Sequence, residues 1–217
     1  MLPLRYRNKN VLRVEFFLLC LVVPGIIMVN KWAPQMFLFL WAATIYGYLV
    51  MRLVYRDRLR TLWNWQAVCW QNLKPVLIRW LIACVGMTLF LLIYDPDRLF
   101  GLFHYRPEII PFLLVLYPVV SALPQEFIFC SFFFERYKDF FGSGSKMVIA
   151  SGVMFAYAHC LYINPVAPTL SFFGGLIFAS TYRKTNSLAL VTIEHGLYGN
   201  FLFLIGLGFY FYGGNVQ

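Results

Sequence analysis

Charge is what this chain has least of. Asp, Glu, Lys and Arg make up 12% of its 217 residues, against roughly 25% in a soluble domain. Such a chain cannot clothe a water-facing surface in polar groups, and a soluble globular fold is excluded. Acid is the scarcer sign: nine acidic residues face 18 basic ones, for a net charge of +9. A basic surplus can serve nucleic acid, but here the cations lie between apolar runs rather than in one patch. That placement argues against nucleic acid and for loops that meet anionic lipid headgroups. Cysteines are few and scattered. Cys20, Cys69, Cys84, Cys130 and Cys160 form no CxxC pair, and an odd count at irregular spacing argues against a disulfide framework or a zinc cluster. No internal repeat, low-complexity stretch or soluble domain stands out.

What is abundant is apolar: 61% of residues are hydrophobic and 20% aromatic, with a mean hydropathy of +0.69. A span needs about 20 mainly apolar residues to cross roughly 30 Å of hydrocarbon. Seven segments qualify, at about 14–30, 35–52, 76–94, 109–134, 147–164, 167–182 and 187–212. The predicted fold is all-α, a polytopic transmembrane helical bundle of about seven spans forming a single domain over 1–217. Asp95-Pro96-Asp97-Arg98 supplies turn chemistry between the third and fourth spans. The stretch Thr61–Trp70 is too polar to cross; its tryptophans suit the headgroup region and predict an interfacial helix.

Arg5, Arg7, Lys9 and Arg13 precede the first apolar run in the manner of a signal peptide. No A-x-A-like site follows, so an uncleaved first span is expected. The loop after the second span holds Arg52, Arg56, Arg58 and Arg60, then Lys74 and Arg79, against Asp57 alone. Lys138 and Lys146 flank the loop after the fourth span, and Arg183 and Lys184 follow the sixth. The positive-inside rule then predicts an integral membrane protein with its N-terminus in the cytoplasm and its C-terminus outside. A short chain without further domains suits a bacterial inner membrane.

An ionisable side chain near the bilayer centre costs several kcal/mol and marks a functional candidate. Glu126 lies in the fourth span, His159 in the fifth, and Glu194 with His195 in the seventh; the third histidine, His104, falls in an outer loop. At 1.5 Å per residue, Glu126 is about 15 Å from Arg136, His159 about 20 Å from Lys146, and His195 about 16 Å from Lys184. Three helices thus deliver one carboxylate and two imidazoles to one layer. Glu126 can serve as a general base, and His159 and His195 can steady an oxyanion, orient a water or ligate a divalent metal. The bland alternatives are a hydrogen-bonded cluster that holds helices together and a proton or ion pathway. Pro118 and Pro124 loosen the helix just before Glu126, and such irregular backbone at membrane depth is tolerated where it lines a cavity. Gly174-Gly175 permits close helix packing.

The segment Pro124-Gln125-Glu126-Phe127-Ile128-Phe129-Cys130 resembles the Glu-Glu-x-x-x-Arg motif of the CPBP intramembrane proteases. That family holds the CAAX prenyl endopeptidases and bacteriocin-processing proteins formerly called Abi. Phe155-Ala156-Tyr157-Ala158-His159 is similar to its Phe-x-x-x-His motif, and Glu194-His195-Gly196-Leu197-Tyr198-Gly199-Asn200 to its His-x-x-x-Asn motif. The family-like catalytic half covers about 109–212. The resemblance implies a glutamic protease cutting a peptide or protein substrate at the membrane. It makes Glu126 the base that activates water, His159 and His195 its partners, and Asn200 an oxyanion donor, with Gln125, Cys130, Phe155 and Glu194 supporting. No cofactor is expected; a divalent metal on Glu126, His159 and His195 is the alternative. Gln125 stands where the first Glu is usual. Cys130 replaces the motif arginine, and a thiol cannot supply a guanidinium's charge or forked donors. The Asn falls five residues after His195 rather than four, which turns it about 140° away in a regular helix. These departures open a second reading, a catalytically impaired member acting as an immunity or scaffold protein.

Overall fold

The structure, a computed structural model, describes residues 8–216; Arg5 and Arg7 of the basic tail lie outside them. Every regular element among these residues is helical. Seven helices are long: α1 (Lys9–Val29), α2 (Ala33–Val54), α3 (Trp70–Tyr94), α4 (Pro107–Arg136), α5 (Ser145–His159), α6 (Val166–Thr185) and α7 (Leu188–Ile205). They correspond one to one with the seven apolar segments. Five of them, α1 to α4 and α7, are long and apolar enough to cross a membrane. The other two differ: α5 has 15 residues, and α6 mixes Thr169, Ser171, Ser180, Thr181 and Arg183 into its length. They pair as a hairpin. A Cβ on Gly175 would sit 3.0 Å from the Gly152 Cα, so the two backbones touch only because both positions are glycine.

Helix α7 is the inner member of the bundle, with 56% of its most apolar window buried, against 11–22% in α1 to α4. It starts at Ser187, whose hydroxyl accepts the Leu190 N–H at 3.1 Å, an N-cap worth about 1 kcal/mol. The segment 61–70 meets it there. The Leu188 and Ala189 N–H groups donate to the carbonyls of Leu62 and Trp63 at 3.0 and 3.3 Å, and Asn64 Nδ2 donates to the Thr185 carbonyl at 2.7 Å. This corrects the expected interfacial helix. Asn64 adopts a left-handed conformation (φ 37°, ψ 61°), which leaves only a 3-10 turn at Trp65–Ala67 and commits neighbouring carbonyls to the orphan donors of α7. At the other end, α7 stops at Ile205 rather than near 212, because Gly206 turns left-handed (φ 112°).

Helix α4 carries most of the site and is irregular, with π-helical turns at Pro118–Ala122 and Phe127–Phe132. Proline lacks an N–H, so the carbonyls four residues before Pro118 and Pro124 lose their helical donors. Other helices supply them. Asn200 Nδ2 of α7 donates to Leu114 O at 3.1 Å, and Trp41 Nε1 of α2 donates to Val120 O at 3.2 Å. Ser151 Oγ of α5 donates to Phe129 O, inside the second π turn, at 2.8 Å. Three neighbours thus satisfy backbone that a lipid environment could not.

The lower end of α4 is pinned by a buried ion pair. Arg136 Nε and Nη2 donate to Glu15 Oε1 and Oε2 at 2.8 and 2.5 Å. The Arg136 side chain is fully buried against α1.

Candidate active site

Glu126 lies just beyond Pro124, between the two π turns of α4, and is 1% exposed. Its Oε1 accepts from His195 Nδ1 at 2.7 Å, across 69 residues of sequence. Its Oε2 accepts from the Cys130 thiol at 3.1 Å. With Glu126 as the carboxylate and His195 as the neutral imidazole, Nδ1 carries the His195 proton and Nε2 presents its lone pair. Tyr117 Oη donates to that lone pair at 2.9 Å. The chain of contacts thus runs carboxylate, imidazole, phenol.

Aromatic rings set the plane of His195. Phe178 of α6 stacks on it with centroids 4.6 Å apart and planes 14° from parallel. Phe155 of α5 meets it edge-on at 5.7 Å, and Tyr117 at 5.9 Å. Gly199, one turn after His195, leaves room for the Tyr117 ring; a Cβ there would overlap it. The motif residue Phe155 is thus a packing support for both histidines, since its ring also lies 4.6 Å from that of His159.

His159 is the last residue of α5. Its Nδ1 donates to the Phe155 carbonyl one turn back at 2.7 Å, which leaves Nε2 as an acceptor. It shares with His195 the wall of a cavity of about 650 Å³ lined by residues of α2 to α7. Gln125 and Tyr117 line the same cavity, whereas Glu126 lies behind that wall. The structure therefore joins Glu126 directly to His195 and brings His159 to the same chamber. Among the described residues no group of three His, Cys, Asp or Glu side chains is disposed to hold a metal ion.

Asn200 keeps company with Leu114 rather than His195. No π turn interrupts α7, so the five-residue spacing carries Asn200 onto α4, where it fills the gap left by Pro118. Glu194 also turns from the site. It is fully buried and pairs with Arg79 Nη2 of α3 at 2.8 Å, while a second contact of the same nitrogen goes to Thr181 Oγ1 at 3.0 Å. Consecutive helical residues diverge by about 100°, so Glu194 and His195 serve different neighbours. Arg79 is a correction to the loop assignment. Because α3 begins at Trp70, the guanidinium stands about 14 Å along the helix, where a cation needs a partner.

Tyr117, and Ser121 in the cavity wall, were invisible as site residues to motif spacing. The signal for Tyr117 was its hydroxyl in an apolar span, since a buried phenol usually has a partner.

An all-helical bundle with five helices long and apolar enough to cross a membrane, and a buried acid–imidazole pair at a cavity wall, defines an integral membrane protein with a polar site inside it. Residues 107–202 match the family described as type II CAAX prenyl endopeptidase Rce1-like. The match takes in all three motifs, and this segment is similar to that family. No curated protein and no solved structure matches the chain significantly.

Proposed function

We propose that this protein is an intramembrane endopeptidase that hydrolyses a membrane-proximal peptide bond. The observation that carries the reading is the 2.7 Å contact between Glu126 Oε1 and His195 Nδ1, with the imidazole on the cavity wall and the carboxylate behind it. His195 acts as the base, with Glu126 behind it. The carboxylate fixes the tautomer and stabilises the imidazolium that forms when Nε2 takes a proton from water, as the acid of a Ser-His-Asp triad does for its histidine. The hydroxide so formed attacks the scissile carbonyl, and the imidazolium returns its proton to the leaving amine. His159 Nε2 faces the same chamber and orients the water. Tyr117 Oη occupies the His195 lone pair in the resting state and yields it when water arrives. No metal is needed, since proton transfer and orientation fall to groups already placed. By this reading the basic loops mark the cytoplasmic side and the substrate reaches the cavity within the bilayer.

Cys130 favours a second reading. It gives Glu126 a neutral donor where the family pattern has a cation, so a member with impaired turnover that acts by binding, as an immunity or scaffold protein, is the alternative. One experiment separates them. Purified protein in lipid nanodiscs is incubated with membrane-proximal peptides, prenylated and unprenylated, and new termini are read by mass spectrometry. Wild type is expected to cleave, with Glu126→Gln slower by roughly 10³-fold or more. Equal cleavage by both, or none by either, sinks the protease reading.

A further inference from the structure

A second cavity, of about 430 Å³, lies between α1, α2 and α4. It meets the first along a common wall of six residues: Met36, Phe37, Ser121, Gln125, His159 and Tyr162. Gln125 stands in that wall one residue before Glu126, and the helical turn between them sends Glu126 towards His195 and leaves Gln125 facing both chambers. Its Nε2 donates to Ser121 Oγ at 2.9 Å. Its Oε1 is buried and, among the described residues, has no hydrogen-bond partner.

A buried carbonyl without a partner is costly, and a ligand N–H that reaches it recovers the loss. The chambers on either side are lined mainly by apolar side chains, such as Leu113, Leu202 and Phe203 in the first and Leu19, Ile27 and Leu40 in the second. An extended peptide has the matching chemistry. Its N–H groups recur between side chains that point alternately to opposite faces, so one N–H docked on the wall sends the two flanking side chains into different chambers. A lipid tail fills apolar space equally well but offers no N–H.

We propose that Gln125 Oε1 accepts a backbone N–H of an extended apolar peptide, so that neighbouring side chains occupy the two cavities. This deepens the endopeptidase reading and rests on it. It makes Gln125 a substrate-positioning residue and sets the substrate class: a segment with large apolar residues at consecutive positions, rather than one recognised on a single side.

The test is a binding measurement that needs no turnover. The probe is a fluorescein-labelled eight-residue peptide of leucine and phenylalanine, with a set of analogues N-methylated at one backbone position each. Affinities are read by fluorescence anisotropy in detergent micelles, on protein carrying Glu126→Gln so that nothing is cut. The parent peptide is expected to bind, and one N-methyl position to weaken it about tenfold. Adding Gln125→Leu should erase that position's penalty, whereas Gln125→Glu, which keeps an acceptor, should retain it. Unchanged thermal unfolding shows that Gln125→Leu remains folded. No binding of the parent, a flat methylation scan, or the same penalty in Gln125→Leu overturns the proposal. If the methylation pattern holds but wild type cleaves nothing, the endopeptidase reading alone falls. If wild type cleaves and the scan is flat, this inference alone falls.

Discussion

Removing Glu15 should be strongly destabilising although it touches no part of the site. Its carboxylate receives two guanidinium bonds from Arg136, at 2.8 and 2.5 Å, and hydroxyl bonds from Tyr137 at 3.2 Å and Tyr46 at 3.0 Å. The Arg136 side chain is fully buried and that of Glu15 is 10% exposed, so neither charge can fall back on water. Breaking a buried pair by deleting one partner costs about 3–5 kcal/mol, because the survivor stays charged and uncompensated. Replacing both by apolar residues of similar volume is often neutral or better. Glu15→Ala should therefore destabilise the fold by about 3–5 kcal/mol, while Glu15→Leu with Arg136→Met should stay within ~1 kcal/mol of wild type. The assay is equilibrium unfolding in mixed micelles with increasing dodecyl sulfate, followed by tryptophan fluorescence. A cost below ~1 kcal/mol for Glu15→Ala, or a double variant as damaged as the single, refutes the reasoning, because both require that desolvation dominates here.

The other expectations concern the site. Asn200→Leu should cost about 1–3 kcal/mol by stranding the Leu114 carbonyl, yet leave cleavage per folded molecule unchanged; a kcat loss above tenfold would put Asn200 back in the chemistry. Cys130→Arg should unfold or destabilise the protein without raising peptide cleavage, since Cys130 is 1% exposed among Phe127, Phe132 and Phe133 and overpacking costs about 1–3 kcal/mol before any charge is counted. A gain in turnover would refute that. Tyr117→Phe should raise kcat about two- to fivefold with little change in KM, because a net ~0.5–1 kcal/mol contact on His195 Nε2 no longer has to break; a fall would mean that the hydroxyl takes part in the reaction.

The seven helices were legible because each apolar run is long and each break is written in charge, Pro or Gly. Their ends were less so. The start of α3 at Trp70 hides behind Asn72, Lys74 and Pro75, residues that read as loop, and Arg79, counted with the loop cations, pairs instead with the buried Glu194 of α7. The 61–70 segment failed for another reason. Its tryptophans carry a headgroup signal, but its backbone is spent on the N-terminus of α7, over a hundred residues away, and no local pattern encodes a partner at that distance.

The site was legible as a set of residue types and only partly as a geometry. Glu126 and His195 could be paired because intramembrane charge is rare enough for coincidence to be suspect. What spacing could not supply is which way each side chain turns once α4 departs from 3.6 residues per turn. Two π turns and two prolines rotate Glu126 behind the wall and Gln125 into it, and those departures survive only because Trp41, Ser151 and Asn200 supply the missing donors. The Asn200 amide donates to the Leu114 carbonyl and so supports the backbone of the helix that carries Glu126. The irregular stretch of α4 and the polar residues around it are one device: the prolines and π turns aim Glu126 at His195, and the neighbouring helices hold that aim by completing the hydrogen bonds the prolines removed.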